Sequence, residues 1–128
     1  MDSSLATKIM KVAVAWGVLG IGLNLLCLHL LLFRDGAVPL NAGVRIPYHP
    51  MYQLANTVLV AALVYGIYRR CLPCPIILIA NAIGRAVYSF VATGHLVILT
   101  PAISVVIYGL AIAAMLALKK TGAAERTD

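Results

Sequence analysis

The chain has 128 residues, of which 62% are hydrophobic and 11% charged, with a mean hydropathy of +0.99. Soluble domains average about 45–50% apolar and about 25% charged residues, so this composition excludes an ordinary water-soluble domain and belongs in lipid. The formal net charge of +6 does not mark a nucleic-acid binder, because the basic residues flank apolar runs and form no patch with interleaved aromatics.

Four apolar runs, 12–33, 51–68, 75–93 and 96–118, follow one another along the chain. Each is long enough to cross a hydrocarbon core of about 30 Å, which takes roughly 17–25 helical residues. The fold class predicted is all-α, an integral membrane four-helix bundle forming a single transmembrane domain over residues 1–128. Lys8 and Lys11 would suit a secretory leader, but the run they precede exceeds the roughly 7–15 apolar residues of a signal peptide. Cytoplasmic loops carry the excess of Lys and Arg. Here Lys8, Lys11, Arg69, Arg70, Lys119, Lys120 and Arg126 fall on one side of a four-span layout and Arg34 and Arg45 on the other, seven against two. The layout predicted is N-in/C-in in the cell (inner) membrane, with an external loop at 34–50 and a cytoplasmic tail at 119–128.

The first span places Ala13, Gly17, Gly20, Asn24 and Cys27 on one stripe, with Val14, Val18, Ile21, Leu25, Leu28 and Leu32 behind it. Helices in lipid associate through close backbone approach, so the small stripe is predicted to pack and the aliphatic one to face lipid. The loop that follows holds Gly36, Pro39, Gly43, Pro47 and Pro50 and is too punctuated for a regular element. In the second span Ala55, Ala62 and Gly66 form the expected packing stripe, and 69–73 makes a tight inner turn. The third span sets Asn81, Arg85, Tyr88, Ala92 and His95 against Ile76, Ile79, Ile83, Val87 and Phe90, and Gly94 is placed to close it as a left-handed cap. Thr100-Pro101 reads as an N-cap followed by proline at the first helical position, or as a kink in a helix starting near Leu96. The fourth helix turns Pro101, Ser104, Tyr108, Ala111 and Met115 one way, and residues 121–128 are expected to fray.

These inward faces predict a polar seam of Asn24, Asn81, Arg85, Tyr88, Ser104 and Tyr108, the candidate ligand-binding residues. For the asparagines, serine and tyrosines, interhelical hydrogen bonds that set helix register, each stabilising by roughly 0.6–2 kcal/mol, are a sufficient reason to be there. Arg85 asks for more. It lies about ten residues from either end of its span, roughly 15 Å deep, and an arginine at that depth costs at least about 2.5–3.5 kcal/mol. Yet all four acids, Asp2, Asp35, Glu125 and Asp128, are terminal or in the outer loop. The partners left are neutral groups such as Asn81, Tyr88 and Tyr108, an acid from another subunit, or a bound anion such as a substrate, a lipid phosphate or a polarised quinone oxygen. Arg85 is therefore expected to serve binding more than folding, and Arg85→Met to leave the bundle intact.

His29, His49 and His95 all map near the outer surface. His29 and His95, on different helices, form the pair best placed for a metal, whether haem b iron or another transition ion, with His49 and Asn56 nearby. Interfacial histidine also reaches water in its own right, and no pair of metal-binding side chains at i,i+4 supports the site. Cys71-Leu72-Pro73-Cys74 has redox spacing, but its turn falls on the predicted cytoplasmic side, where reduced thiols dispensable for folding are expected. Cys27 reads as a small packing residue.

In length and helix count the chain resembles small proton-coupled drug exporters, but these need a membrane-embedded glutamate in the first helix, and none is present. The function expected is that of a small non-enzymatic multi-pass protein, a transport or channel component or an accessory subunit of a membrane complex, working through the seam at Arg85. Its partners would be the lipid bilayer, further copies in a homo-oligomer or a larger complex, and an anionic small ligand. A redox anchor binding haem through His29 and His95, or quinone near Arg85, is the second reading. A lipid-modifying enzyme is third, because the chain has no embedded carboxylate, no Ser/His/Asp grouping and no metal motif. Reporter fusions test the layout: sites at Met1, Arg70 and Asp128 should read cytoplasmic and one at Gly43 external, and a cytoplasmic signal at Gly43 would overturn it.

Overall fold

Local chemistry sets where each helix begins and ends. The computed structural model describes residues 2–35, 37–38, 41–46, 48–94 and 98–125. Within them run four helices, α1 (Ser3–Phe33), α2 (Pro50–Tyr68), α3 (Pro73–Thr93) and α4 (Leu99–Glu125), all long and apolar enough to cross a membrane. Asp2 caps α1, its Oδ1 accepting from the Ser4 N–H at 3.4 Å. That start precedes the apolar run, and the 31 residues of α1 reach roughly 46 Å against a hydrocarbon core of about 30 Å. His49 caps α2 through Nδ1, which accepts from the Met51 N–H at 3.1 Å, and Pro50 takes the first helical position, where no N–H is needed.

The ends of α2 and α3 are built differently. Arg70 adopts φ +59°, and the Cys71 N–H donates to Gly66 O at 2.7 Å while the Arg70 N–H donates to Ile67 O at 2.9 Å. This pair of bonds is a Schellman ending with arginine in the position that glycine usually fills. Cys74 Sγ lies against Gly66, leaving no room there for a side chain, so α3 can start directly beside the end of α2. Gly94 closes α3 with φ +74°, its N–H donating to Phe90 O at 2.8 Å, as predicted.

Three expectations about loops and helix ends are corrected. The loop between α1 and α2 is not wholly irregular: β1 (Ala37–Val38) pairs antiparallel with β2 (Asn41–Arg45), Ala37 opposite Arg45 and Val38 opposite Asn41. Gly43, one of the punctuating residues, falls in β2, and glycine, unlike proline, keeps the N–H a ladder needs. Helix α4 starts at Leu99, with the Ala102 N–H donating to Ile98 O at 2.9 Å. Thr100 is thus not the cap, and Pro101 sits in the first turn, where N–H groups have no helical partner. The helix also continues to Glu125, so the tail is helical up to that residue.

Each helix packs against its neighbours in sequence, and α4 closes onto α1, as in an up-down-up-down bundle. On α1, Ala13 and Gly17 are buried, Gly20, Asn24 and Cys27 half-buried, and Val18, Leu25 and Leu32 exposed, so the small stripe is the packing face. Val14 and Ile21 also reach the core, which narrows the aliphatic outer face. On α2 the prediction fails: Ala55 and Ala62 are exposed, and the buried face is Gln53, Asn56, Thr57, Val60, Leu63, Val64 and Ile67. Only Gly66 of the predicted stripe makes a close approach. Three polar residues on one turn outweighed the small ones, because lipid cannot satisfy amides and protein can.

The apolar core concentrates at one end, where Ala6 and Met10 of α1 share a buried cluster with Ala111, Ala114, Met115 and Leu118 of α4. Helix α3 buries only Pro75 and Leu78. The α1–α2 seam depends on Gly17, where an added Cβ would meet Val64 Cγ2 at 2.5 Å and Cγ1 at 2.9 Å. Valine is stiff at χ1 and cannot yield. Gly17→Ala should therefore lower the melting temperature in mild detergent, at a cost of about 1–3 kcal/mol for overpacking, and Val64→Ala in the same chain should recover part of it. Gly20→Ala, whose Cβ would meet nothing within 4 Å, should be neutral or stabilising.

Candidate functional site

Beyond the apolar cluster the inward positions turn polar. Asn24 on α1, Gln53 and Asn56 on α2 and Arg85 on α3 bond to one another. Arg85 Nη1 donates to Asn24 Oδ1 at 2.7 Å and Nη2 to Gln53 Oε1 at 2.8 Å. Gln53 Nε2 donates to Asn24 O at 3.0 Å and to Asn24 Oδ1 at 2.9 Å, and Asn56 Nδ2 donates to the same Oδ1 at 2.9 Å. One neutral oxygen thus accepts three N–H groups, while the Asn24 amide nitrogen donates back to Gly20 O at 2.8 Å. Gln53 is fully buried, at 0% exposure, so water cannot replace its partners.

Tyr48, from the segment before α2, covers the arginine. Its ring lies 4.5 Å from Arg85 Cζ, its hydroxyl donates to Arg85 O at 3.0 Å, and it stacks with Tyr52 at 5.3 Å and Tyr88 at 5.4 Å. A cation over a tyrosine face gains about 0.5–2 kcal/mol. Arg85 is therefore held by two amide oxygens and one aromatic face, with no acid in any span. Those two bonds use two of the five N–H donors that a guanidinium carries.

The guanidinium stands on the wall of a cavity of about 270 Å³ between α1, α3 and α4. Trp16, Val60, Leu78 and Tyr108 line it together with Asn24, Asn81, Arg85 and Ser104. Trp16 Nε1 donates to Ser104 Oγ at 2.9 Å and ties α1 to α4. Leu19, Leu23 and Thr100 line the cavity and are also exposed, which puts its mouth between α1 and the first turns of α4.

Five of the six predicted seam residues, Asn24, Asn81, Arg85, Ser104 and Tyr108, line this cavity. Tyr88 does not: it is 53% exposed and stacks on Tyr48 from outside. The partners of Arg85 are neutral, but they are Asn24 and Gln53, not Asn81, Tyr88 or Tyr108. Sequence reasoning missed Gln53, Tyr48 and Trp16, and placed Asn56 beside the histidines. Gln53, Asn56 and Thr57, spaced i, i+3, i+4 in an apolar helix, were the available signal. Nothing in the sequence pointed to Tyr48.

His29 is exposed and rests on Phe33, ring centroids 5.0 Å apart. His49 spends Nδ1 on its cap, and His95 lies outside the described residues. Among the described residues no group of three or more His, Cys, Asp or Glu could hold a metal ion. Cys27, Cys71 and Cys74 are free thiols, with Cys27 on the cavity wall. No family model, no curated protein and no solved structure matches this chain.

The neutral pairing changes what is expected of Arg85→Met. The substitution strands Gln53 Oε1 in a fully buried residue, which should cost about 1–3 kcal/mol and lower the melting temperature in detergent. Asn24→Leu strands three donors and should melt lower still.

Proposed function

We propose that this chain is a small non-enzymatic multi-pass protein of the cell membrane, N-in/C-in, that binds a small ligand in the cavity beside Arg85. It would act as a transport component or as an accessory subunit of a membrane complex. One observation carries the reading: a guanidinium at membrane depth, bonded among the described residues only to neutral amides, stands on the wall of a cavity of about 270 Å³. Ionic groups at such depth mark ligand pathways in membrane proteins. Asn24, Gln53 and Asn56 already fix the register of α1 and α2 without help from a charge. The small buried share of α3 supports assembly, since most of its surface is left for lipid or for another protein. The redox reading through His29 and His95 rests on the sequence alone.

Native mass measurement in mild detergent tests the proposal. The wild-type chain should carry a non-protein mass, alone or in an oligomer. Gly20→Leu should fold and carry none, because Gly20 lines the cavity and a side chain there points into open space. A folded wild-type protein with no small molecule attached, and unmoved in melting temperature by any added membrane extract, would overturn it.

A further inference from the structure

The groups facing the cavity define a chemical class of ligand, on the premise that the cavity is a binding site. Arg85 brings a positive charge with no acid in any span to neutralise it. Tyr108 is only 4% exposed and lines the cavity. Its hydroxyl makes no hydrogen bond among the described residues. Yet no buried side-chain polar atom there lacks a partner, so the hydroxyl opens on the cavity. Ser104 Oγ accepts from Trp16, which leaves its own proton to donate. Asn81 adds an amide. Charge and donors thus converge where the spans supply no anion, and charge-assisted bonds to an oxoanion are the strong way to satisfy them.

The remaining walls are apolar. Val60 and Leu78 lie inside, and Leu19 and Leu23 stand at the mouth, 53% and 44% exposed, midway along a helix that crosses the membrane. The mouth therefore opens on lipid chains. Small-molecule pockets run from about 300 to 1,000 Å³, so about 270 Å³ accommodates a head group and the first carbons behind it, not a diacyl headgroup with its glycerol. We infer that the cavity takes the head of a single-chain anionic amphiphile, a carboxylate or phosphate on an alkyl chain. The oxoanion lies between Arg85 and Tyr108, and the chain leaves between α1 and α4 into the bilayer.

Trp16 is the single tryptophan and lies on the cavity wall, so its fluorescence reports occupancy. The full chain in phosphatidylcholine nanodiscs should show saturable quenching by stearate bearing a nitroxide near its carboxyl end. Hexadecyl phosphate should compete, and inorganic phosphate should not. The methyl ester of the same probe, which partitions into lipid but has no charge, should give only non-saturating background. Asn24→Asp keeps an acceptor beside Arg85 and neutralises it, and should weaken stearate binding by about tenfold or more. Tyr108→Phe keeps the ring and the melting temperature and should weaken it by about fivefold; it decides the matter if Asn24→Asp fails to fold.

Saturation by the ester, competition by inorganic phosphate, or undiminished binding in both variants would overturn the assignment of class. In those cases a ligand mass on the purified protein would leave the cavity as a binding site for other chemistry. Absence of saturable quenching by any probe overturns the inference as well, and with no ligand mass the underlying reading falls with it.

Discussion

A positive charge placed in hydrocarbon must be answered by the protein itself, and in this chain the answer is a carboxamide. Asn24 Oδ1 collects N–H groups from Arg85, Gln53 and Asn56, so that three helices meet at a single oxygen. A carboxylate in the same place would cancel the charge. An amide only spreads it, and the guanidinium keeps its attraction for anything negative that enters. The cluster therefore orders the helices and leaves a field in the interior. In a low dielectric both effects are larger than they would be in water.

The rest of the bundle is arranged around that compromise. Where Gly17 lets Val64 approach α1, and where alanines of α4 share a buried cluster with Ala6 and Met10, the helices pack closely. Past the Trp16–Ser104 bond they part, because amides, a guanidinium and a tyrosine cannot interdigitate as methyl groups do. The cavity is what remains between a tightly packed end and a hydrogen-bonded one. Tyr48 seals the outer side of the arginine with a face and not with a charge, which preserves the imbalance.

Much of this was legible in the sequence. Length and hydropathy gave four spans, because a membrane helix is a simple function of apolar run length. Spacing of small residues identified the packing face of α1, and that of polar residues identified Asn81, Arg85, Ser104 and Tyr108 on the cavity wall of α3 and α4 but not Ser89 or Thr100. The failure on α2 has a physical cause: Ala55 and Ala62 compete with Gln53, Asn56 and Thr57 for the inward position. In lipid an unsatisfied amide costs far more than a lost close approach. Tyr48 was out of reach because its position depends on how a loop folds back, which no periodicity encodes. The identity of Arg85's partners was hidden for the same reason: spacing within one helix cannot say which side chain of another helix stands opposite.

Helix α1 starts well before its apolar run, and Ala6 lies on the far side of Lys8 and Lys11 from the membrane span. It is nevertheless fully buried, in one cluster with Met10 and with Leu118, which stands just ahead of Lys119 and Lys120. The packing of α1 against its neighbours therefore continues past Lys8 and Lys11, beyond the apolar run that suits hydrocarbon. Inside the bilayer the two helices are held by close packing and by the Trp16–Ser104 hydrogen bond, since apolar side chains gain nothing by leaving lipid for one another. Outside it the same pair excludes water, with the entropy gain and heat-capacity change that belong to soluble proteins. One continuous helix pair thus obeys two thermodynamic regimes, and cooling weakens its outer end while leaving its inner end largely indifferent.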